Sequence, residues 1–210
     1  MPNYADINGR PMKKLQIQQY LRKLQLNDFE PAVNLATLTK LQDAHLKYIP
    51  YENFDCLNGK ITSLKRHDMF NKVIMHNRGG ICFELNGLYN WLLESLGFDV
   101  TSYSARFIDK METYQLRRHR VMCVALGEKR YLTDVGVNSE SPRVPLEIVE
   151  GLIQSDGISQ YKFTRSEFWG WLLWQKERGK IWKRLFGFTE EPQIDKDFIT
   201  ASFWCDAHPD

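Results

Sequence analysis

Arg78-Gly79-Gly80-Ile81-Cys82-Phe83-Glu84-Leu85-Asn86 is the stretch from which the rest of the chain can be read. Leu85, Leu88, Leu92 and Leu96 follow at near-helical spacing and Gly97 supplies a stop, so the pattern predicts a helix with Cys82 in its first turn. The paired glycines are expected to let the backbone turn tightly just before it. A thiol is thereby placed at a helix N-terminus, where unsatisfied N–H groups and the positive end of the dipole favour the thiolate.

Upstream, Leu15, Ile17, Leu21 and Leu24, then Leu35, Leu38, Leu41 and Leu46, keep the helical period. Ile49-Pro50 should break it, and an aromatic loop, Tyr51-Glu52-Asn53-Phe54, comes next. Downstream of Phe98 the texture changes to short β-branched and aromatic runs, 100–107, 121–126, 131–135 and 158–163, separated by turn residues. The run 168–188 carries four of the six tryptophans, and 195–209 closes the chain. The fold class expected is α+β, a helical part over 1–97 packed on a β-rich part over 98–190.

The chain has 210 residues with 43% hydrophobic and 26% charged, enough for a core without disulfides or metals. A net charge of +2 is too small for whole-surface attraction to nucleic acid. No stretch approaches the roughly 20 apolar residues that span a bilayer, and the N-terminus lacks the order of a signal peptide. A cytoplasmic protein is expected, with Cys56, Cys82, Cys123 and Cys205 as thiols. Their separations of 26, 41 and 82 positions contain no local pair of the kind that binds zinc, so no metal is expected. Cys56, Cys123 and Cys205 read as small buried hydrophobes.

A cysteine nucleophile needs a base and a group to orient it. If 121–126 and 131–135 pair across a two-residue turn at Gly127-Glu128, opposite positions sum to 255, so Asp134 faces Val121 and His119 faces Gly136. His119 and Asp134 then fall on one face as diagonal neighbours within hydrogen-bond reach. A three-residue turn would put them on opposite faces. Alone, His119 in Arg117-Arg118-His119-Arg120 reads as a solvated histidine and Asp134 as a turn aspartate; with Cys82 they supply nucleophile, base and orienter. His45, His67, His76 and His208 read as surface or structural.

With these residues quoted, the chain resembles the arylamine N-acetyltransferases. The matching segments are 49–54, 78–86, Ala105-Arg106, His119-Arg120-Val121 and Tyr131-Leu132-Thr133-Asp134-Val135-Gly136. The intervals of 37 from Cys82 to His119 and 15 from His119 to Asp134 resemble that family's spacing. The resemblance implies a helical bundle, a β-barrel and an α/β lid, with Cys82, His119 and Asp134 catalytic in a cysteine-protease-like arrangement. It further implies acetyl-CoA as co-substrate, Tyr51, Phe107 and Val137 on the substrate side and Gly136 on the coenzyme side. Val137-Asn138 stands where the family commonly has Phe-Gly, which bears on the acceptor. Residues 191–210 look like the start of a third domain that is mostly missing, so Cys82 is expected to be open on one side.

The Trp-rich run, with Lys176, Arg178, Lys180, Lys183 and Arg184, reads as core packing with solvated basic stems rather than as a membrane or nucleic-acid surface. The activity implied is ping-pong acetyl transfer through Cys82 to an aromatic amine, hydroxylamine or hydrazine. An amide synthase or other Cys-His-Asp acyl-transfer enzyme, and an inactive relative acting as a binding protein, are the alternatives.

Overall fold

A computed structural model describes residues 8–108, 115–137 and 140–207. Two helices, α1 (Lys14–Lys23) and α2 (Leu35–Tyr48), follow the predicted apolar periods, and Asn34 caps α2 by accepting the Thr37 N–H at 2.8 Å. Leu15 falls off the buried stripe and is exposed. After Pro50, Tyr51 forms a parallel bridge to Gly80, and the aromatic loop runs into the short helix α3 (Phe54–Leu57). Helix α4 (Arg66–Phe70) passes into a π turn over Asn71–Met75.

Helix α5 (Cys82–Ser95) is the centre of the fold, with every side chain from Cys82 to Leu93 buried. A helix buried on all sides must be wrapped by other elements, and this one is packed between α1, α2, α4 and the sheet through Leu85, Leu88, Leu92, Met122 and Val124. It ends as the sequence predicts, with Gly97 at φ +91° and the Phe98 N–H donating back to Leu93 at 3.0 Å.

The β half is one eight-stranded antiparallel sheet: β1 (Asp99–Phe107), β2 (His119–Leu126), β3 (Lys129–Thr133), β4 (Leu146–Glu147), β5 (Gln154–Ser155), β6 (Ser159–Ser166), β7 (Gly170–Glu177) and β8 (Lys183–Gln193). Their order is β4-β3-β2-β1-β8-β7-β6-β5. The chain between β4 and β5 joins the two edges, and Glu150 bridges Phe163 of β6, so the sheet curls into a near-closed barrel. Alternate residues of β1, β2, β6, β7 and β8 fill it, among them Tyr103, Ala105, Val121, Phe163, Leu173 and Phe186. The opposite face of β2 packs on α5, which makes the helical and barrel cores neighbours across one strand.

The Trp-rich run divides into a hairpin of β7 and β8. Trp171 is buried in the barrel, whereas Trp174 and Trp182 lie outside beneath Lys162, whose Nζ is 5.8 and 4.6 Å from their ring centres. Core packing therefore accounts for part of the run and cation–π cover for the rest. Strand β8 continues past residue 190 to Gln193, and the chain then forms a helical turn (Asp195–Asp197) and α6 (Phe198–Ala207). Among the described residues no helix is long and apolar enough to cross a membrane.

Candidate active site

Cys82 is the first residue of α5, and Glu84 two residues on accepts the Ile81 N–H at 3.0 Å, satisfying one orphan donor of the helix start. The paired glycines act differently from the turn expected of them. Neither has a positive φ. A Cβ on Gly79 would lie 2.0 Å from the Pro50 carbonyl oxygen, and one on Gly80 would lie 2.8 Å from Glu84 Oε2. Their requirement is close approach of the Pro50 carbonyl and of the Glu52 and Glu84 side chains to the segment leading into Cys82.

His119 opens β2 and is fully buried, so the solvated reading of it does not hold. The hairpin register is the one that sums to 255, with Met122 opposite Thr133 and Leu126 opposite Lys129 around the two-residue turn. Asp134 follows β3 directly, and its Oδ2 lies 2.7 Å from His119 Nε2. Burial alone would depress the His119 pKa, but the charge and hydrogen bond of Asp134, with a further contribution from Cys82, push it up to about 10. Cys82 Sγ lies 3.8 Å from the carbonyl oxygen of Arg118, immediately before His119.

The other expected positions surround this centre to different degrees. Gly136 packs on the start of α5, where a Cβ would sit 2.8 Å from Cys82 Cα, and its N–H donates to Asp134 Oδ1 at 2.8 Å. The ring of Phe107 is 5.1 Å from that of His119. Tyr51 is partly exposed, and burial followed by the charges of Cys82 and Cys205 pushes its phenol up to about 12. Val137 is buried in the barrel core, and Asn138 lies outside the described residues. Among the described residues no group of three or more His, Cys, Asp or Glu side chains could hold a metal ion.

The sequence profile of the N-acetyltransferase family matches residues 34–210. The chain is 34% identical over 196 residues to the arylamine N-acetyltransferase of Mycolicibacterium smegmatis, covering 90% of this chain and 70% of that protein. It is 31% identical over 174 residues to that of Escherichia coli K12, covering 82% of this chain and 61% of that protein.

The chain belongs to the arylamine N-acetyltransferase family. A solved structure of the Mycobacterium marinum arylamine N-acetyltransferase in complex with CoA superposes with a TM-score of 0.86 at 26% identity, covering 92% of this chain and 72% of that one. The chain thus spans between about three fifths and three quarters of the length of these arylamine N-acetyltransferases.

Against that background two features were not anticipated from sequence. Asn86, one turn beyond Cys82 on α5, donates from Nδ2 to Asp134 Oδ1 at 2.8 Å and to the Arg120 carbonyl at 2.6 Å, and accepts the Val135 N–H at 2.9 Å. It lies inside the cysteine motif, and a polar side chain among the leucines of a buried helix is its signal. The second feature corrects the expectation of an open site. Cys82 is only 8% exposed, because Phe198, Ala201 and Cys205 of α6 pack over Ile81, Cys82 and Phe83. Cys56 and Cys205 are correspondingly half-buried beside the site rather than core thiols, with Cys56 Sγ donating to the Cys205 carbonyl at 3.6 Å. Cys123 is buried as expected, and burial pushes its thiol up to about 11. His45 is buried in the helical core, His67 and His76 are exposed, and His208 lies outside the described residues.

Proposed function

We propose that the chain is an acyltransferase that moves an acetyl group from acetyl-CoA to an aromatic amine, hydroxylamine or hydrazine through a thioester on Cys82. The observation that carries this reading is the buried 2.7 Å contact of His119 with Asp134, on the strand pair that flanks the Cys82 helix start. In the first half-reaction the Cys82 thiolate attacks the thioester carbonyl and the coenzyme thiolate leaves, taking a proton from the His119 imidazolium. In the second, the acceptor nitrogen attacks the acetyl-cysteine, His119 takes the nitrogen's proton, and the amide departs as the thiolate returns. Asp134 holds the ring and stabilises the imidazolium in both halves.

Phe107, against the His119 ring, and Tyr51, at the partly exposed loop, are the apolar surfaces suited to an aromatic acceptor. Val137, buried in the barrel core, and Gly136, whose lack of a side chain lets the loop after Asp134 close on Cys82, complete the proposed substrate and coenzyme sides of the centre. The family relationship and the CoA complex of the M. marinum relative support the donor.

The test is incubation with acetyl-CoA alone, followed by peptide mass spectrometry. A gain of about 42 Da on the Cys82 peptide, absent from Cys82→Ala and discharged on adding an arylamine, is the expected result for a covalent intermediate. Loss of coenzyme thioester without that adduct would overturn the route through Cys82.

A further inference from the structure

The start of α5 is ringed by more charge than the proposed reaction uses. Three carboxylates, Glu52, Asp55 and Glu84, meet two cations, Lys72 and Arg78. Arg78 reaches Glu52 at 2.7 Å and Asp55 at 3.2 Å. Lys72 reaches all three, at 2.8 and 3.0 Å from the two Glu84 oxygens, 2.9 Å from Asp55 and 3.8 Å from Glu52.

Glu84 is the member that bears on the nucleophile. It is buried, two residues from Cys82, and its carboxylate is the acceptor for the Ile81 N–H. The same charge that caps the helix opposes a second negative charge on the sulfur at its tip, and low local dielectric enlarges both effects. Burial leaves the Glu84 pKa raised above the ordinary carboxylate value, with the adjacent Lys72 ammonium and the Ile81 N–H opposing that rise.

The backbone is arranged to bring Lys72 there. At the π turn the His76 N–H donates to the Asn71 carbonyl at 2.9 Å, while Val73 and Ile74 turn into the core. The Arg78 N–H donates to the Lys72 carbonyl at 3.1 Å. Short π segments of this kind are rare inside helices and concentrate at functional sites.

We propose that Lys72 is a positioning residue for Cys82: its ammonium neutralises and clamps the buried Glu84 carboxylate, so the helix keeps its cap without an unbalanced negative charge beside the nucleophile. The inference rests on Cys82 being the reactive group. Other titratable groups that act on the sulfur include His119, Tyr51 and Cys205, with the Arg118 carbonyl 3.8 Å away. None of these meets Glu84 in the ion pairs of the cluster.

The test is the rate at which iodoacetamide alkylates Cys82 in the full chain, followed on the Cys82 peptide. It needs no acetyl transfer, so its failure and that of the acetylation experiment are distinguishable. Lys72→Met should slow alkylation about tenfold near neutral pH, with the gap closing as pH rises, because an unneutralised carboxylate near the sulfur opposes a second negative charge there. Lys72→Arg should restore most of the rate. Lys72→Met combined with Glu84→Gln should return it to within about twofold of the original, since the Gln carbonyl still accepts the Ile81 N–H.

Folded Lys72→Met with the original pH profile, or a loss that persists in the double variant, would overturn the proposal. If Lys72→Met does not fold, Glu84→Gln alone decides. Removing the carboxylate while keeping the ammonium should leave alkylation as fast or faster, and a large decrease would refute the role.

Discussion

Asn86 Nδ2 stands 2.8 Å from Asp134 Oδ1, tying the helix that carries Cys82 to the hairpin that carries His119 and Asp134. The same side chain bonds the Arg120 carbonyl and the Val135 N–H, so one buried amide fixes the approach of all three elements. Asn86→Ala should leave those two backbone groups without their side-chain partner, at about 1–3 kcal/mol each before relaxation, while Asp134 Oδ1 keeps the Gly136 N–H. Denaturant unfolding should show a large loss of stability. Asn86→Asp, which keeps the volume but puts a second carboxylate against Asp134, should fare no better; a normal midpoint for both would show that the clasp is dispensable.

The raised pKa of His119 gives a pH prediction with a definite sign. Its folded value of about 10 lies above the unfolded value of about 6.5, so the stability it contributes is fully present below about 6.5 and is lost as pH rises through about 10. Asp134→Asn removes the carboxylate that holds this proton. The difference in melting temperature between the original chain and the variant should therefore be largest near pH 6 and shrink towards pH 10. Acetyl transfer by the variant should fall by orders of magnitude, as expected when the ring loses its orienter. A rate loss under about tenfold, only 1.4 kcal/mol of barrier, would make the carboxylate structural.

Much of this site was legible because its determinants are local. The Gly127-Glu128 turn sets the register of β2 against β3, and that register alone puts His119 diagonal to Asp134. The leucine period and Gly97 likewise mark both ends of α5. What escaped depends on packing between distant segments. Nothing in the local pattern around Phe198 says that it will cover a cysteine 116 positions earlier (198 − 82), and no propensity distinguishes a glycine needed for a turn from Gly79, needed because Pro50 comes close. The strands β7 and β8 were hidden for a related reason. Their aromatic residues serve both faces, so the period-2 signal is blurred until pairing separates Trp171 inside from Trp174 outside.

His45 supplies a prediction outside the site. It is buried between Tyr20 and Tyr89, its ring 6.0 and 5.3 Å from theirs, and neither nitrogen has a hydrogen-bond partner among the described residues. Burial depresses its pKa to about 3. Its folded value is below the unfolded value, so it costs nothing above about pH 6.5 and increasingly favours unfolding as pH falls towards 3. His45→Phe keeps the ring contacts and removes the titration. Stability of the variant should fall less steeply in acid, by up to about 1.4 kcal/mol per pH unit, with little change at neutral pH. Parallel acid curves would mean that His45 is already protonated or hydrated in the fold.

Gly136 should tolerate no side chain. The Cβ of Gly136→Ala would fall 2.8 Å from both Asn86 Nδ2 and Cys82 Cα and 3.0 Å from Cys82 Cβ, and the nearest of these are a clasped amide and a helix backbone. Relief requires the loop after Asp134 to move away from α5, which would stretch the Asp134 bond to Asn86. Cys82 alkylation and stability should both change, whereas Gly127→Ala, where no atom lies within 4 Å, should cost only the strain of its φ of +63°. Equal effects of the two substitutions would show that crowding at Cys82 is unimportant.

Phe198 decides how far α6 protects the site. Its ring is 6.0 Å from Phe83 and lies under the Arg120 guanidinium at 4.7 Å, while Arg120 Nη2 pairs with Asp195 at 2.9 Å, so aromatic, cation–π and ionic contacts together hold the helix on Cys82. Phe198→Ala should cost about 3–5 kcal/mol if the cavity stays open and less if α6 swings away. These alternatives have different signatures at the sulfur. A helix that stays leaves Cys82 covered and its alkylation rate nearly unchanged, whereas a helix that opens exposes the thiol, speeds alkylation, and lets water reach any acetyl-cysteine. Because the pair with Asp195 lies outside the aromatic contact, Asp195→Asn combined with Phe198→Ala should favour opening more than either change alone. Faster alkylation together with faster hydrolysis of the acetyl-enzyme in the double variant is the expected outcome, and unchanged rates would show that other segments of the chain close the cleft.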